Sequence, residues 1–256
     1  MRSVVQARVR SLVPPAVALI SLLVLWQVIC DFYSVPTWLL PATSTIAKSA
    51  AEWSSLLPQH AYATAYVTTI GFAAAAVVGF AIALALTASP FFMRTAYPLL
   101  LSLQSMPKIA IAPLLLMWVG FGPASKIIIV FLVCFFPIVV SGVAGLNAVP
   151  SALIDLARSF STPWWRVYTK IRIPYSLPHL FVGLKVAITL AVTGAVVGEF
   201  VASKEGLGFL ILNGVQQFNT PLAFAAMVLL GFLTILFYGV VALAETILMR
   251  WKPMGV

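Results

Sequence analysis

Six long apolar runs constrain the fold of this chain more than any other feature. Each run is long enough to cross the roughly 30 Å hydrocarbon layer of a bilayer as a helix. Backbone groups find no water inside a bilayer, so helices are the expected form, and the runs are too long for barrel strands. The sequence therefore predicts an all-α integral membrane protein with six transmembrane helices, at residues 14–32, 61–87, 97–119, 127–148, 177–202 and 221–249.

Composition also indicates lipid as the main solvent. Hydrophobic residues make up 62% of the 256 positions and charged residues 8%, whereas a soluble domain carries roughly 25% charged residues. The mean hydropathy is +1.08. The net charge of +9 is spread over loops, which argues against nucleic acid as a partner. Residues 1–256 are expected to form a single transmembrane domain, without room for a sizeable soluble one.

The basic residues predict the orientation of the helices. With the N-terminus in the cytoplasm, ten Lys and Arg residues fall in inside segments and three in outside segments. This is a positive-inside bias, so both termini are expected in the cytoplasm. The inside set is Arg2, Arg8, Arg10, Arg94, Arg158, Arg166, Lys170, Arg172, Arg250 and Lys252, and the outside set is Lys48, Lys126 and Lys204.

Two segments between spans are expected to form short helices. Residues 41–60 indicate an interfacial helix, and residues 206–219 a re-entrant or surface helix. The first apolar run follows several arginines, as in a signal peptide. Its length and the lack of a small-residue cleavage site favour an uncleaved helix. His60 and His179 lie near span ends and are interpreted as solvated at the interface.

The longest inside loop, residues 150–175, is the least membrane-like stretch of the chain. Ser151 is placed to cap a helix over residues 153–160. Pro163 suits the first position of a second helix over residues 164–171. The loop therefore predicts a helix pair on the inside surface, separated from the fifth span by Pro174 and Pro178.

The same loop carries a known spacing. Permeases of binding-protein-dependent ABC importers have Glu-Ala-Ala, three residues, Gly, nine residues, Ile, one residue and Leu-Pro. This sequence has Asp155-Leu156-Ala157, Ser161 in place of Gly, Ile171 and Ile173-Pro174 at those positions. The chain therefore resembles these permeases. Five further segments resemble the nitrate, sulfonate and taurine branch: Gln104-Ser105-Met106-Pro107-Lys108, Ala112-Pro113-Leu114, Gly183-Leu184-Lys185-Val186-Ala187, Gly198-Glu199-Phe200 and Gly206-Leu207-Gly208.

The resemblance implies a type I importer fold whose coupling helix pair lies between the fourth and fifth spans. In the family this pair docks on an ATPase subunit and passes its movement to the spans. The alternative is an amphipathic loop that rests on lipid headgroups. The residues expected to serve ATPase coupling are Asp155, Leu156, Ala157, Arg158, Phe160, Ser161, Trp164, Trp165, Ile171, Ile173 and Pro174.

The resemblance also implies partners and a location. A homodimer of this chain would work with two ATPase subunits and an extracytoplasmic solute-binding protein in a bacterial inner membrane. ATP and Mg would bind to the ATPase, because this sequence has no Gly-x4-Gly-Lys-Ser/Thr phosphate loop. No cofactor, metal site or catalytic residue is expected in this chain. Cys30 and Cys134 lie in apolar runs and lack the spacing of a disulfide framework or a metal site.

Polar residues within the fifth span predict part of a translocation path. At about 100° per residue, Lys185, Thr189, Thr193 and Glu199 share one stripe. Ionisable groups are costly inside a bilayer, and they usually serve a function there. The alternative is that Lys185 and Glu199 extend to the two membrane surfaces. The opposite face carries small residues that permit close packing, namely Gly183, Ala187, Ala191, Gly194 and Gly198.

The third span contributes two further candidates for the path. Gln104 and Lys108 lie one turn apart beside Pro107, and a proline kinks a helix and frees backbone carbonyls. The alternative is a simple kink in which Lys108 forms a salt bridge. Two lysines per copy favour a small anionic solute of the sulfonate, taurine or nitrate type.

Several other functions stay open on the sequence alone. Within the same class of importer, the solute could be a pyrimidine vitamin precursor, a flavin or an aromatic acid. From other classes, the chain could be an ATP-independent secondary transporter or channel, or a membrane enzyme. The loop spacing has no role in those last models, and the sequence shows no catalytic motif.

Overall fold

The computed structural model describes residues 2–249, with side chains from residue 13 onward except at Ala202. Every regular element in this part of the chain is helical. A 3₁₀ turn at Lys108–Ile111 joins α4 to α5, and a π-turn at Tyr168–Arg172 joins α8 to α9. The helices are α1 (Arg2–Phe32), α2 (Thr43–Glu52), α3 (Leu57–Ala88), α4 (Pro90–Gln104), α5 (Ala112–Val119), α6 (Pro123–Asn147), α7 (Ser151–Ser159), α8 (Trp164–Val167), α9 (Ile173–Ala202), α10 (Leu207–Gln216) and α11 (Thr220–Leu248).

Five helices of the described chain are long and apolar enough to cross a membrane. They are α1, α3, α6, α11 and the helix that contains α9. α4 and the segment Lys108–Val119 pass the same test together, although they are bent by 80°. With this pair counted as one broken span, the predicted six-span fold is confirmed.

The third span departs from the expected run over residues 97–119. It begins at Pro90 and breaks after Gln104. Pro107 causes the break, because proline has no N–H to donate and its ψ of 89° lies outside the helical range. The prediction of a kink is thus correct, but the break is sharper than an ordinary proline kink.

The centre of the bundle is formed by α3, α6 and α9. Small residues allow these helices to approach closely. A Cβ atom at Gly71 of α3 would lie 2.6 Å from the Cβ of Val130 in α6, and a Cβ at Gly183 of α9 would overlap Ser141. Ala187 and Ala191 are fully buried. The predicted packing face of the fifth span is therefore confirmed.

The two short helices outside the spans are present where they were expected. α2 packs against α11. It is tied to α1 by the side-chain oxygen of Gln27, which accepts hydrogen bonds from the Thr43 hydroxyl at 2.7 Å and the Ser44 amide at 3.0 Å. α10 packs against α9 and α11 through Leu210 and Ile211.

The helix pair within residues 150–175 forms with two corrections. Pro150 occupies the N-cap of α7, and no side chain caps this helix, so the predicted Ser151 cap is wrong. The second helix does not end before the fifth span, since α8, the π-turn and α9 form one 38-residue helix, Trp164–Val201. A π-turn widens the backbone, and its position just before Pro174 accommodates a ring that would otherwise clash with the preceding turn.

The orientation of the bundle remains a prediction. Much of the positive-inside bias comes from residues outside the described side chains, namely Arg2, Arg8, Arg10, Arg250 and Lys252.

Candidate functional site

The helix pair α7–α8 presents an exposed apolar surface. We call Leu156, Phe160, Trp164 and Trp165 the coupling surface. Phe160, between the two helices, is 75% exposed, and Trp164, the first residue of the 38-residue helix, is 72% exposed. Ala157 and Val167 are buried on the opposite side of the pair. The helix pair therefore buries smaller residues on one side and leaves its large aromatic residues exposed on the other.

Two charged residues flank the coupling surface. Arg158 and Asp155 form an ion pair with 3.4 Å between Nη1 and Oδ1, and both side chains are largely exposed. A pair this exposed adds little stability, so both charges remain available to orient a partner.

The turn between α7 and α8 is made by Ser161. Its φ of +50° lies in the left-handed region, which glycine adopts without strain. The Ser161 amide donates to the carbonyl of Arg158 at 2.8 Å, and the Thr162 amide donates to the carbonyl of Ala157 at 3.1 Å. This is the hydrogen-bond pattern of a Schellman motif. The chain therefore forms the turn with serine at the position where the permeases carry glycine.

The helix pair is tied to the bundle by Tyr168, which sequence reasoning missed. Its hydroxyl donates to the carbonyl of Thr87, near the end of α3, at 2.5 Å. The hydroxyl also accepts from Nη1 of Arg172 at 2.9 Å, and the Arg172 guanidinium lies 4.8 Å from the tyrosine ring centroid. Ile171, Ile173 and Pro174, expected to serve coupling, are half-buried in and just after the π-turn.

Lys185 lies on the accessible side of α9 with Thr189 and Thr193, as the predicted stripe requires. Its ammonium group is paired with the carboxylate of Glu245 in α11, and both side chains are mostly buried. Glu245 was not identified from the sequence, because nothing in the periodicity of one helix identifies its partner on another. The ion pair neutralises the charge that Lys185 was expected to offer to a path.

Glu199 does not share this accessible stripe, so the expectation that it lines a path is not met. It is 1% exposed. Its carboxylate accepts hydrogen bonds from the Thr64 hydroxyl at 2.8 Å and the Gly208 amide at 2.7 Å. The helical angle was correct, but α10 folds back over this end of α9 and covers the carboxylate.

Three side chains of this region bind the start of α10, and we call them the α10 cap. Besides Glu199, the Thr64 hydroxyl accepts from the Leu207 amide at 2.8 Å, and Nδ1 of His60 accepts from the Gly206 amide at 3.0 Å. Free N–H groups at a helix N-terminus need such partners. His60 is buried and stacks on Phe209, so its interpretation as a solvated interfacial residue is wrong.

Glycine is required at the turn that the α10 cap holds. Gly206 has a φ of +115°, and a Cβ at this position would overlap the Glu199 carboxylate. Gly206 begins the segment Gly206-Leu207-Gly208, which in sequence resembles the nitrate, sulfonate and taurine branch. Its physical role here is the close approach of the backbone to a buried carboxylate.

Lys108 lies at the break between α4 and α5. Its ammonium group is 3.4 Å from the carbonyl oxygen of Gln104 and 4.4 Å from the ring centroid of Phe136 in α6. Among residues with described side chains, ion pairs join only Arg158 to Asp155 and Lys185 to Glu245. The alternative interpretation, in which Lys108 forms a salt bridge, therefore finds no partner carboxylate among the described side chains. Gln104 is exposed one turn away.

One buried lysine was assigned from the sequence only to an outside segment. Lys126 is 8% exposed, and its ammonium group donates to the Ser203 hydroxyl at 2.8 Å. Both residues line a cavity of about 620 Å³ at the ends of α6 and α9, together with Phe121, Gly122, Pro123, Lys204 and Glu205.

Known proteins with similar sequences are transport permeases. A riboflavin transport system permease protein of Chloroflexus aurantiacus is 35% identical and covers 92% of this chain and 89% of its own. A formylaminopyrimidine transport permease protein of Halalkalibacterium halodurans is 32% identical, covering 93% and 95%. A putative aliphatic sulfonates transport permease protein of Bacillus subtilis is 29% identical, covering 95% and 87%. Taurine and nitrate permeases match at 25% identity.

A solved structure has the same fold. The MetNI methionine ABC transporter, in inward-facing conformations, matches with a TM-score of 0.67 at 20% identity, over 77% of this chain and 98% of the matched one. This likeness supports the predicted type I importer fold. The family described as binding-protein-dependent transport system inner membrane component matches residues 75–251. The chain is therefore a member of that family of multi-pass ABC importer permeases.

Proposed function

We propose that this chain forms a homodimer that moves a small anionic solute into the cytoplasm, driven by two ATPase subunits. An extracytoplasmic solute-binding protein would deliver the solute. ATP and Mg would bind on the ATPase subunits, and this chain would hold no cofactor. The observation that carries the proposal is the coupling surface, an exposed aromatic surface whose residues Trp164 and Trp165 begin a helix that continues into the bundle.

The coupling surface has the chemistry of a docking site. Large aromatic residues often anchor protein interfaces, and Phe160 and Trp164 are mostly exposed in the isolated chain. Lipid headgroups are the alternative neighbour. The family membership favours an ATPase, because the spacing of the loop belongs to importers with a separate ATPase subunit.

The connection into the bundle suits the transmission of movement. The 38-residue helix Trp164–Val201 would be about 55 Å long at 1.5 Å per residue. A push on α8 would therefore displace α9 directly. Because Tyr168 binds the carbonyl of Thr87, the end of α3 would move with it. Closure of the ATPase pair on ATP would then reorient two of the three central helices.

The proposed solute class rests on cationic groups inside the bundle. Sulfonate, taurine and nitrate permeases are among the relatives, which favours a small anion. Riboflavin and formylaminopyrimidine permeases are among them too, so a flavin or a pyrimidine is the second candidate. The solute-binding protein would carry most of the selectivity.

Affinity purification from gently solubilised native membranes, followed by mass spectrometry, tests the partners. We expect recovery of an ATPase and a solute-binding protein. Phe160→Ser and Trp164→Ser should lose the ATPase. Trp118→Ser is the matched control and should keep it, since Trp118 is 67% exposed but lies in α5, away from the coupling surface.

Two results would count against the proposal. If no ATPase is recovered with the wild-type chain, even after cross-linking, an ATP-independent transporter becomes the better model. If the Phe160 and Trp164 variants recover as much ATPase as the Trp118 variant, the coupling surface is not the docking site.

A second measurement uses ATP hydrolysis as the readout. Substitution of Asp155 and Ser161 together should abolish solute-stimulated ATP hydrolysis.

A further inference from the structure

We propose that the ammonium group of Lys108, at the break between α4 and α5, contacts the anionic group of the transported solute. Lys185 and Glu199 would then support the fold instead of contacting the solute. This inference rests on the proposed import of a small anion, and it identifies the residue of the path that would recognise the charge.

A comparison of three lysines leads to Lys108. Lys185 is paired with the carboxylate of Glu245. Lys126 is buried against Ser203 and lies close enough to Glu199 to interact with its charge. Lys108 has no carboxylate within ion-pair distance among the residues with described side chains. Lys126 likewise has no such carboxylate, but it is held by Ser203 at the ends of α6 and α9, whereas Lys108 lies at the break within the third span. Of the three, Lys108 is therefore the ammonium group left for a solute inside a span.

The position of the break fits a contact deep in the membrane. Arg94 is exposed near the start of α4, and a charge there belongs at the membrane surface. Gln104 follows ten residues later, about 15 Å along the helix, which is half of the roughly 30 Å hydrocarbon layer. With α4 taken along the membrane normal, Lys108 lies near the middle of the bilayer, where an unpaired charge is costly.

The backbone at the break cannot face lipid. The turn at Pro107 interrupts the helical hydrogen bonds, and irregular backbone occurs at membrane depth only where it is buried in protein or lines a water-filled cavity. Neither Gln104 nor Lys108 is buried in the single chain. The break therefore faces water or a second copy of the chain, and both are compatible with a path.

The contacts of Lys108 leave it free to bind an anion. The 3.4 Å separation from the Gln104 carbonyl is long for a hydrogen bond, and Phe136 offers only the face of an aromatic ring. Both contacts stabilise a cation without neutralising it. The opposing interpretation is that Lys108 serves only as a cap for the carbonyls at the end of α4.

Thiol labelling tests whether position 108 faces water, as a contact with the solute requires, without knowledge of the solute. Lys108→Cys is prepared in a chain whose two buried cysteines, Cys30 and Cys134, are replaced by alanine. We expect rapid reaction with a negatively charged methanethiosulfonate reagent. Val17→Cys is the control and should not react, because Val17 is exposed on the peripheral helix α1. Absence of labelling at position 108 would overturn the inference.

Transport measurements test the contact itself. The complete transporter, with the ATPase and binding protein that co-purify with it, is reconstituted and supplied with labelled taurine, nitrate or riboflavin. A charge-assisted hydrogen bond of about 1.5–3 kcal/mol corresponds to about a ten- to hundredfold effect. We expect Lys108→Met to reduce anion uptake by at least about tenfold, and Lys108→Arg to restore most of it.

Each outcome of the transport test is decisive. If Lys108→Met takes up the anion as fast as the wild type, the inference fails and the proposed function stands. If the wild type takes up only the uncharged riboflavin, the importer stands but the inference fails. If the wild type takes up none of the three solutes, the proposed anion import fails, and the inference fails with it.

Discussion

The α10 cap makes a quantitative prediction about the stability of the bundle. Replacement of Glu199 by alanine removes the acceptor for two buried donors, the Thr64 hydroxyl and the Gly208 amide. Both donors are buried, so the loss of the carboxylate leaves them without their acceptor. The start of α10 would then lose its connection to α9.

The expected magnitude follows from those two hydrogen bonds. A hydrogen bond to a charged group contributes about 1.5–3 kcal/mol. We use the lower end, because hydrogen bonds between membrane helices average less than this. The two bonds together give about 3 kcal/mol. For a chain of this size that corresponds to a fall in Tm of about 6–12 °C.

Glu199→Gln provides the matched comparison. Glutamine has nearly the same shape, and its carbonyl oxygen can accept from the Gly208 amide. Its NH₂ group can donate to the Thr64 hydroxyl, which can turn its own proton to the carbonyl of His60, 3.3 Å away. The Gly208 amide and the Thr64 hydroxyl then keep partners, and one N–H of the glutamine is left without an acceptor. We therefore expect a loss less than half of that for alanine.

Thermal unfolding of the purified chain in detergent, followed by size-exclusion chromatography, measures these differences. Glu52→Ala is the control for the loss of a carboxylate, since Glu52 is exposed at the end of α2. It should leave Tm unchanged. The reasoning would be refuted if Glu199→Ala unfolded at the same temperature as Glu52→Ala, or if glutamine were as damaging as alanine.

Three further predictions concern packing, the turn and the coupling. Gly183→Ala should lower Tm, because its Cβ would overlap Ser141 and overpacking costs about 1–3 kcal/mol. Gly239→Ala is the control, because no atom lies within 4 Å of the added Cβ, and it should raise Tm slightly. Equal changes in Tm for the two substitutions would contradict the packing argument. Ser161→Gly should raise Tm by relieving about 1 kcal/mol of left-handed strain, and an unchanged or lower Tm would show that the strain is absent. Tyr168→Phe should still co-purify with the ATPase but import less solute per ATP, and wild-type coupling would exclude a role for the contact with Thr87.

The sequence by itself determined the environment and the number of spans. Apolar runs of this length admit one solution, because backbone hydrogen bonds inside lipid must be made within the chain. The packing face of α9 was also predictable, since Gly183, Ala187 and Ala191 recur at helical spacing and small side chains permit close approach. The spacing from Asp155 to Pro174 was enough to indicate the family.

Local rules failed at both ends of the loop between the fourth and fifth spans. Ser151 is a favourable capping residue by type, but Pro150 takes the N-cap position. Pro174 was expected to end a helix. Instead, the π-turn allows the helix to continue, and Tyr168 in this turn is held by the end of α3.

Only the tertiary structure decided the roles of the charged residues within the spans. Helical periodicity correctly placed Lys185 and Glu199 within about 40° of each other on one helix. It contains no information about which neighbour covers each turn of that helix. Glu245 of α11 neutralises one charge, and α10 buries the other. At the break beside Lys108, the folded arrangement brings an aromatic ring, and no carboxylate of the described side chains pairs with its ammonium group.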